Sequence, residues 1–571
     1  MSYIKYGCLL LGSVIFFYGC STNKAITKND QTTSNAVDTE QLSDSTATQN
    51  IVTLAKPIEG WHLLGASTAM EASANEWKNQ GIALHQAYSL LDSTARSPKK
   101  VVVAIIDSGS DVDHEDLKET IWINEDEVVG NMLDDDANGY VDDVFGWNFI
   151  GGQDSSHVNY DTYELTRLYV KGLELFSVFD TLTNIPDSLT DEYLQFKDIE
   201  EEFEAERSSL ESELIQIKQL QQNIESILFF LGETSLDSVE VNNYLSDEIE
   251  PSMQMQEALG FVALLQDNGI NEQLIDEYIE QIGVQLEYGY NISFDPRSIV
   301  GDDYEDLDNR FYGNSDVKGP DYDHGTHVAG IIAANRDNNI GAIGITQVEL
   351  MIIRAVPNGD ERDKDVANAI RYAVDNGADV INMSFGKSYS PELFYVQQAI
   401  EYAAQNEVLM VHAAGNDGAN IDSVANYPSP IISDGSSSPY LITVGASGWQ
   451  GVNELAASFS NYGASTVDLF APGVDIYSTM PNQEYELSNG TSMAAPVVSG
   501  VFALLMQYFP EYSPLEIKEI IVSSVVKTDE QIMLPGQSLE AQYVPFDSLS
   551  KHGGIVNAYR AVREALNGLE N

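Results

Sequence analysis

Uninterrupted runs of β-branched and aliphatic residues constrain the fold of this chain more than any other feature. The first run, Val101–Ile106, carries no polar residue and leads directly into Asp107. A strand that is apolar on both faces fits the interior of a parallel sheet, because helices cover both sides of such a sheet. Similar runs recur at Leu350–Val356, Val380–Met383, Leu409–His412 and Leu441–Val444. The recurrence predicts several buried parallel strands.

Helix-length segments separate these runs or follow them. Asp363–Asn376 and Pro391–Asn406 lie between predicted strands, and the last helices are predicted at Met493–Phe509, Pro514–Ser523 and Val556–Leu566. Strands and helices that alternate along a chain form a doubly wound α/β domain. We therefore expect a mostly parallel sheet with helices on both faces.

The segment Asp161–Gly289 breaks this alternation with an acidic stretch of helical period. Its apolar residues lie three, four or seven positions apart and form a heptad-like stripe. The stripe comprises Phe196, Ile199, Phe203, Leu210, Leu214, Ile217, Ile224 and Leu231, and returning helices are indicated by Leu259, Val262, Leu265, Ile275, Ile279 and Ile282. We interpret the segment as an inserted helical hairpin or small bundle. It is either a packing arm without activity of its own, or a lid or partner-binding element.

The N-terminus has the features of a bacterial export signal. Lys5 precedes an apolar run, Cys8–Tyr18, that is too short to span a bilayer comfortably. Gly19 and Cys20 at the end of this run resemble a lipobox, in which Cys20 would be lipidated and would anchor the protein to the membrane. An ordinary signal peptide, followed by free secretion, is the alternative. Cys8 and Cys20 are the only cysteines, so we expect no disulfide in the folded part.

Changes in composition define five expected regions. Residues 1–20 form the signal segment, 21–59 a flexible polar tether, 60–160 the first part of the α/β domain with an acidic loop, 161–290 the helical insertion, and 291–571 the remainder of the α/β domain. The chain carries 28 Lys and Arg against 89 Asp and Glu, a net charge of −61. So acidic a chain repels nucleic acid, which we therefore exclude as a partner. We also expect a monomer.

Three segments carry side chains suited to nucleophilic catalysis. Asp107 follows the first buried strand, so its carboxylate is expected at the carboxyl edge of the sheet, where open α/β folds bind ligands. His324 opens a predicted helix, and Ser492 lies where a loop turns into a long apolar helix. A serine hydroxyl becomes a nucleophile when an imidazole accepts its proton and a carboxylate orients that imidazole. The three residues together suggest acyl transfer.

Five blocks in this sequence resemble, in the correct order, the signature motifs of the subtilase family of serine proteases. They are Val103–Gly109, His324–Gly330, Val380–Gly386, Ala413–Asn416 and Gly490–Pro496. The chain order Asp, His, Ser is also the order found in subtilisin. The resemblance covers about Gly81–Asn148 and about Tyr322–Leu566, and it leaves the helical segment outside. It implies a subtilisin-like fold and a serine-type endopeptidase that acts on polypeptides.

The resemblance also implies a role for each matching residue. Asp107 orients the imidazole, His324 acts as general base and acid, and Ser492 attacks the scissile carbonyl. The side chain of Asn416 and the backbone N–H of Ser492 are expected to stabilise the oxyanion. His327, the second histidine of its motif, is expected to be structural.

The resemblance implies that two segments bind the substrate, by strand addition to an extended peptide and by walling the pocket for the residue before the scissile bond. These residues are Ser384, Phe385, Gly386, Ala413, Ala414 and Gly415. They include no charged side chain, which favours an apolar or broad preference. Lys387 stands where the family often has a second glycine, so the sequence leaves the detailed shape of the pocket open.

Acidic loops offer two candidate calcium sites. The first follows the ligand spacing at the start of an EF-hand loop and comprises Asp134, Asp136, Asn138, Tyr140 and Asp142. Phe145 stands where such a loop has its bidentate Glu, so a solvated acidic turn is the alternative. The second is suggested by the resemblance, because Asp116 and Asn338 lie where many subtilases bind a structural calcium. No cofactor is expected for the chemistry itself.

The sequence thus predicts an extracytoplasmic serine endopeptidase. The alternatives are a dedicated processing protease for one envelope protein and a catalytically inactive subtilase-like binding module. The intact set of Asp107, His324, Ser492 and Asn416 argues against the inactive module, because binding does not require all four. Many family members carry an inhibitory pro-domain. The short stretch between the tether and Val101 leaves no room for a full one, so we expect activity to be controlled otherwise.

Overall fold

The structure is a computed structural model that describes residues 60–65, 81–179, 185–244, 252–537 and 542–570. The predicted signal segment, Cys20 and the tether lie outside the described residues. The strands, in chain order, are β1 (Val102–Asp107), β2 (Gly146–Asn148), β3 (Glu349–Arg354), β4 (Val380–Met383), β5 (Leu409–Ala413), β6 (Leu441–Ser447), β7 (Leu469–Pro472), β8 (Ile476–Met480), β9 (Glu484–Ser488), β10 (Val526–Lys527), β11 (Gln531–Met533), β12 (Tyr543–Pro545) and β13 (Gly554–Ile555).

Helices connect or flank most of these strands. In chain order they are α1 (Leu84–Asp92), α2 (Glu164–Phe176), α3 (Thr190–Leu231), α4 (Val241–Tyr244), α5 (Met253–Asp267), α6 (Glu272–Val284), α7 (Arg297–Val300), α8 (Asp323–Ala333), α9 (Asp363–Asp375), α10 (Leu393–Gln405), α11 (Thr491–Tyr508), α12 (Pro514–Ser523) and α13 (Ala558–Glu570). Helix α11 is apolar enough to resemble a membrane span, yet 83% of it is buried inside the protein, as in a core helix.

Nine strands form the main sheet, in the order β10-β13-β7-β6-β5-β4-β1-β3-β2. Neighbouring strands are parallel except for the pair β10 and β13. Strand β1 lies between β3 and β4, and the strand order runs in opposite directions on its two sides. Such a reversal of strand order opens a crevice at the carboxyl ends of the strands, where α/β proteins bind ligands. The predicted doubly wound sheet is confirmed.

Alternate residues of β1 belong to two different hydrophobic cores. Val103 and Ile105 pack in the core that also contains helices α8 and α11. Ala104 and Ile106 pack in the core that contains α9 and α10. All six residues of β1 are buried, because each face of the strand is covered by a helical layer. This burial explains why the sequence shows a continuous apolar run and no alternation.

The extra helices predicted between the first and second motifs are present. Helix α3 runs for 42 residues and carries every position of the heptad-like stripe, while α5 and α6 carry the returning apolar positions. Compactness divides the described chain into two units, and Ile215–Glu277 form the smaller one. In that unit Ile217, Val262 and Ile275 are almost fully buried. The predicted region boundaries at 161 and 290 remain predictions.

Candidate active site

The sheet topology brings Asp107 next to Ser384. Asp107 ends β1 and is 2% exposed. The neighbouring strand β4 pairs with β1 so that Met383 lies opposite Ile106. Ser384, the next residue, therefore lies at the level of Asp107. The next strand pairs Met383 with His412, which places the segment after β5 at the same edge. Neighbouring strands lie about 4.8 Å apart, so residues that follow them in sequence become neighbours in space.

His324 is held against Asp107 by a short hydrogen bond. The Nδ1 atom of His324 lies 2.7 Å from Asp107 Oδ1, which also accepts the N–H of Ser108 at 2.7 Å. A Cβ added to Gly325 would lie 1.9 Å from Gly109 O, so the close approach of α8 to this edge requires glycine there. The imidazole is 39% exposed, which leaves its opposite side accessible from solvent.

Ser492 lies in the first turn of α11 and contacts Ser384 twice. The hydroxyl of Ser492 donates to Ser384 O at 3.0 Å, and the hydroxyl of Ser384 donates to Ser492 O at 2.9 Å. Since Ser384 lies at the level of Asp107, these bonds bring the serine to the sheet edge that carries Asp107 and His324. A hydroxyl has one hydrogen to donate. In this arrangement the hydrogen of Ser492 is directed at Ser384 O.

The side-chain amide of Asn416 and the backbone N–H of Ser492 both lie close to Gly490. The Oδ1 atom of Asn416 accepts the N–H and the hydroxyl of Thr491, each at 2.9 Å, which fixes the orientation of the amide. A Cβ on Gly490 would lie 3.5 Å from both Asn416 Nδ2 and Ser492 N. Gly490 has a φ of +153°, which L side chains rarely adopt, so the backbone conformation favours glycine here. Two donors therefore converge beside the serine.

The predicted substrate-binding residues lie together at this edge. Ser384, Phe385 and Gly386 follow β4, while Ala413 ends β5, and the register of the two strands makes the segments neighbours. Gly386 is exposed and Phe385 half-buried, whereas Ala413 and Ala414 are buried. The exposed backbone at Gly386 is suited to strand addition by an extended peptide.

Lys387 does not extend into this exposed segment. Its side chain is 2% exposed, and its ammonium lies 2.8 Å from Glu164 Oε2 and 2.8 Å from Asp363 Oδ1. It also donates to Glu361 O at 2.7 Å. The sequence offered no signal for this cluster, because Glu164 lies 223 positions earlier in the chain. The structure therefore adds an ion cluster directly beside the predicted substrate-binding segment.

His327 is buried beneath the site. Its Nε2 donates to Glu486 O at 3.2 Å, on the hairpin of β8 and β9 that packs against α8. The same hairpin accepts and donates further bonds to this helix, such as Thr479 Oγ1 to Thr326 O at 2.7 Å. Burial lowers the pKa of His327 to about 4, so the ring is neutral at neutral pH. These contacts fit a positioning role for this histidine.

The side chains of the first calcium candidate are not all directed toward one common point. The carboxylate oxygens of Asp134 and Asp136 lie close to that of Glu127, a residue that the EF-hand spacing missed. Asp142 instead accepts the N–H groups of Gly130 at 2.9 Å, and of Asn131 and Met132 at 3.2 and 2.8 Å, and so holds the loop. The side chain of Tyr140 is buried, and its N–H donates to Asn138 Oδ1 at 2.8 Å.

The second calcium candidate is closed by its own hydrogen bonds. Asp116 accepts the side-chain amide of Asn338 at 2.7 Å and the N–H groups of Asn335 and Ala342 at 3.1 and 3.0 Å. The Asn338 oxygen accepts Ile340 N–H at 3.1 Å. Because Asn338 presents its NH₂ group to Asp116, the pair as arranged does not fit a shared cation. We assign no ion to it.

Comparisons with known proteins identify a family and several relatives in sequence. The sequence matches the Subtilase family over residues 98–539. Subtilisin DY of Bacillus licheniformis is 37% identical over 221 residues, 37% of this chain and 75% of that protein. The thermophilic serine proteinase of Bacillus sp. (strain AK1) is 39% identical over 217 residues. These residues are 36% of this chain and 50% of that protein, so the match spans only half of that protein's length.

One solved structure also matches part of the chain. The prenylagaramide maturation protease PagA is 28% identical with a TM-score of 0.34, over 42% of this chain and 82% of that chain. The family match, by contrast, extends from residue 98 to residue 539 and thus over more than half of the 571 residues. It confirms the sequence-based assignment to the subtilisin-like serine proteases. The chain belongs to the Subtilase family of serine-type endopeptidases.

Proposed function

We propose that this protein is an extracytoplasmic endopeptidase that cleaves peptide bonds through an acyl-enzyme formed on Ser492. The observation that carries the proposal is the 2.7 Å bond between His324 Nδ1 and Asp107 Oδ1 at the sheet edge that also carries Ser492. A carboxylate bound to Nδ1 fixes the tautomer in which Nε2 accepts a proton. The imidazole thus meets the requirement for a general base.

The hydrogen bond from Ser492 to Ser384 O suggests how substrate activates the nucleophile. An extended peptide that adds as a strand beside Ser384 donates an N–H to a backbone carbonyl of that segment. When the acceptor is Ser384 O, the substrate competes with the serine hydroxyl for it. The displaced hydroxyl then rotates about its Cα–Cβ bond and gives its hydrogen to His324 Nε2.

Catalysis would proceed in two displacements on one serine. Ser492 Oγ attacks the scissile carbonyl carbon while His324 Nε2 takes its proton, and the collapse of the tetrahedral intermediate expels the amine, which receives that proton. Water then attacks the acyl carbon, gives a proton to His324, and releases the acid as Ser492 regains its hydrogen. Asn416 Nδ2 and Ser492 N would donate to the oxyanion in both steps, and one such donor is typically worth 10²–10³-fold in kcat.

Apolar or unselective substrate recognition fits the segments around the serine. Ser384, Phe385 and Gly386 carry no charge, and neither do Ala413–Gly415. Lys387, the charged residue that follows Gly386, is buried in ion pairs and is not available to a substrate side chain. We therefore propose polypeptides, preferably with an apolar residue before the scissile bond, as substrates.

Export is part of the proposal. The apolar N-terminal run and Cys20 support a protein carried across the cytoplasmic membrane, either lipid-anchored at Cys20 or secreted. A lipid at Cys20 followed by a polar tether would hold the protease near a membrane surface, with polypeptides as its partners.

Casein hydrolysis by wild type and by Ser492→Ala tests the proposed activity. We expect wild type to release peptides and the alanine variant to lose at least about three orders of magnitude in kcat, because only binding and oxyanion donors would remain. A peptide-library profile of wild type distinguishes broad turnover, with scattered cleavage sites, from processing at one sharp motif. A folded wild type with no more activity than the variant would contradict the proposal.

A further inference from the structure

Three carboxylates meet in the loop that precedes β2. Glu127, Asp134 and Asp136 each present an oxygen, and these oxygens lie within 4.8 Å of one another. The segment 119–156, which contains the whole loop, includes no Lys, Arg or His. Repulsion between these carboxylates is therefore not balanced by any basic side chain of the loop itself.

Glu127 is the member that points to a ligand. The residue is 7% exposed, and its Oε1 accepts the N–H groups of Asp135 and Asp136 at 2.9 and 3.4 Å. Its other oxygen, Oε2, is buried and has no hydrogen-bond partner among the described residues. A buried carboxylate oxygen without a donor is costly unless a cation or proton satisfies it.

Amide donors orient the two aspartates toward the same place. Asp134 accepts the N–H groups of Asn138 and Gly139 at 3.1 and 2.9 Å. Asp136 Oδ2 accepts the side-chain amides of Asn124 and Asn138, each at 3.0 Å. These bonds hold the carboxylates in position before any ion arrives, and carboxylates keep lone pairs for a metal after accepting such bonds.

We propose that Glu127, Asp134 and Asp136 bind a calcium ion. The ligands are all oxygens and carry three negative charges, which suits a hard divalent cation. Ca–O distances of about 2.3–2.6 Å allow ligand oxygens to stand up to roughly 5 Å apart around one ion, whereas Mg–O distances of about 2.1 Å require a tighter octahedron. Separations of no more than 4.8 Å are compatible with the calcium sphere, and water would complete it.

The proposed ligand set differs from the EF-hand reading of the same loop. Asp134 and Asp136 are retained, and Glu127 replaces Asp142, because the three oxygens that lie within 4.8 Å of one another belong to Glu127, Asp134 and Asp136. Asn138 acts through Asp136, to which it donates, and is a positioning residue. The ion would therefore join the two ends of the loop segment 127–136.

Calcium titration of the full chain, after EDTA treatment and desalting, tests the site. We expect wild type to bind CaCl₂ by calorimetry and to unfold at a higher temperature with calcium than with EDTA. Glu127→Gln should bind one calcium equivalent fewer and show a smaller temperature shift. Glu125→Gln, a matched change at an exposed carboxylate in the same loop, should behave as wild type.

Two comparisons keep this test decisive. Asp134→Asn provides a second variant if Glu127→Gln does not fold, and circular dichroism in EDTA identifies folded samples. The proposal is overturned if wild type binds no calcium, or if a folded variant binds as many equivalents as wild type. A temperature shift that MgCl₂ reproduces at equal concentration would overturn the choice of calcium.

Discussion

Lys387 joins the predicted substrate-binding segment to helix α2. Its ammonium binds Glu164, the first residue of that helix, and Glu164 also accepts Arg167 Nη2 at 2.6 Å. Burial by itself would raise the pKa of Glu164, but Arg167 and Lys387 outweigh it and lower this pKa to about 2. A buried cation without its carboxylates would be strongly unfavourable. One glutamate of the helical segment thus stabilises the backbone that is expected to hold the peptide.

We expect Glu164→Gln to lower the free energy of unfolding by about 3–5 kcal/mol at pH 7, the usual cost of removing one partner of a buried ion pair. The folded pKa of about 2 lies below the ordinary value of 4.5. The charged carboxylate therefore contributes stability above about pH 4.5, and this contribution is lost as the pH falls from 4.5 toward 2. The glutamine variant should lack this part of the acid dependence.

Chemical denaturation of both proteins between pH 3 and pH 7 measures this difference. Glu174→Gln, at an exposed position of the same helix, is the matched control and should change little. Equal stability of wild type and Glu164→Gln at pH 7 would show that the ion cluster contributes nothing to the fold.

Helix α3 belongs to both compact units, which divide it between Leu214 and Ile215. Its first part lies in the larger unit, where Phe203 packs with Leu165 and Tyr290. The Tyr278 hydroxyl donates to Glu213, so the chain ends left by removing Ile215–Glu277 would lie close together within the larger unit. The two compact units therefore divide the helical segment into a part that belongs to the larger unit and a part, from Ile215 to Glu277, that belongs to the smaller one.

We expect a short Gly-Ser linker in place of Ile215–Glu277 to leave a folded, active protease. Deletion of all of 161–289 should abolish folding, because it removes Asp161 and Glu164, the buried partners of Arg362 and Lys387. Thermal unfolding and casein hydrolysis of the two deletions measure the contrast. A rise in activity of the shorter deletion would identify the removed part as a lid, and its failure to fold would contradict the separation of the units.

At the scale of the whole molecule, the sequence predicts the sheet and the sheet edge at which Asp107, Ser384 and Ala413 lie, because both follow from buried strands and their order. Asp107 and Ala413 end parallel strands and Ser384 directly follows one, so their proximity is a consequence of topology. Glu127 and Lys387 could not be predicted, since their partners depend on side-chain directions in loops and on contacts between distant segments. The net charge of −61 likewise says nothing of where three carboxylates converge.

Covalent labelling with a fluorophosphonate tests the central claim, the activation of Ser492 by His324 and Asp107. Intact mass and peptide mapping should find one adduct on Ser492 in wild type, no adduct in Ser492→Ala, and greatly slowed labelling in His324→Ala, because the hydroxyl reacts only when the imidazole accepts its proton. A folded wild type that remains unlabelled, or that is labelled equally in the Ser492→Ala variant, would contradict the account.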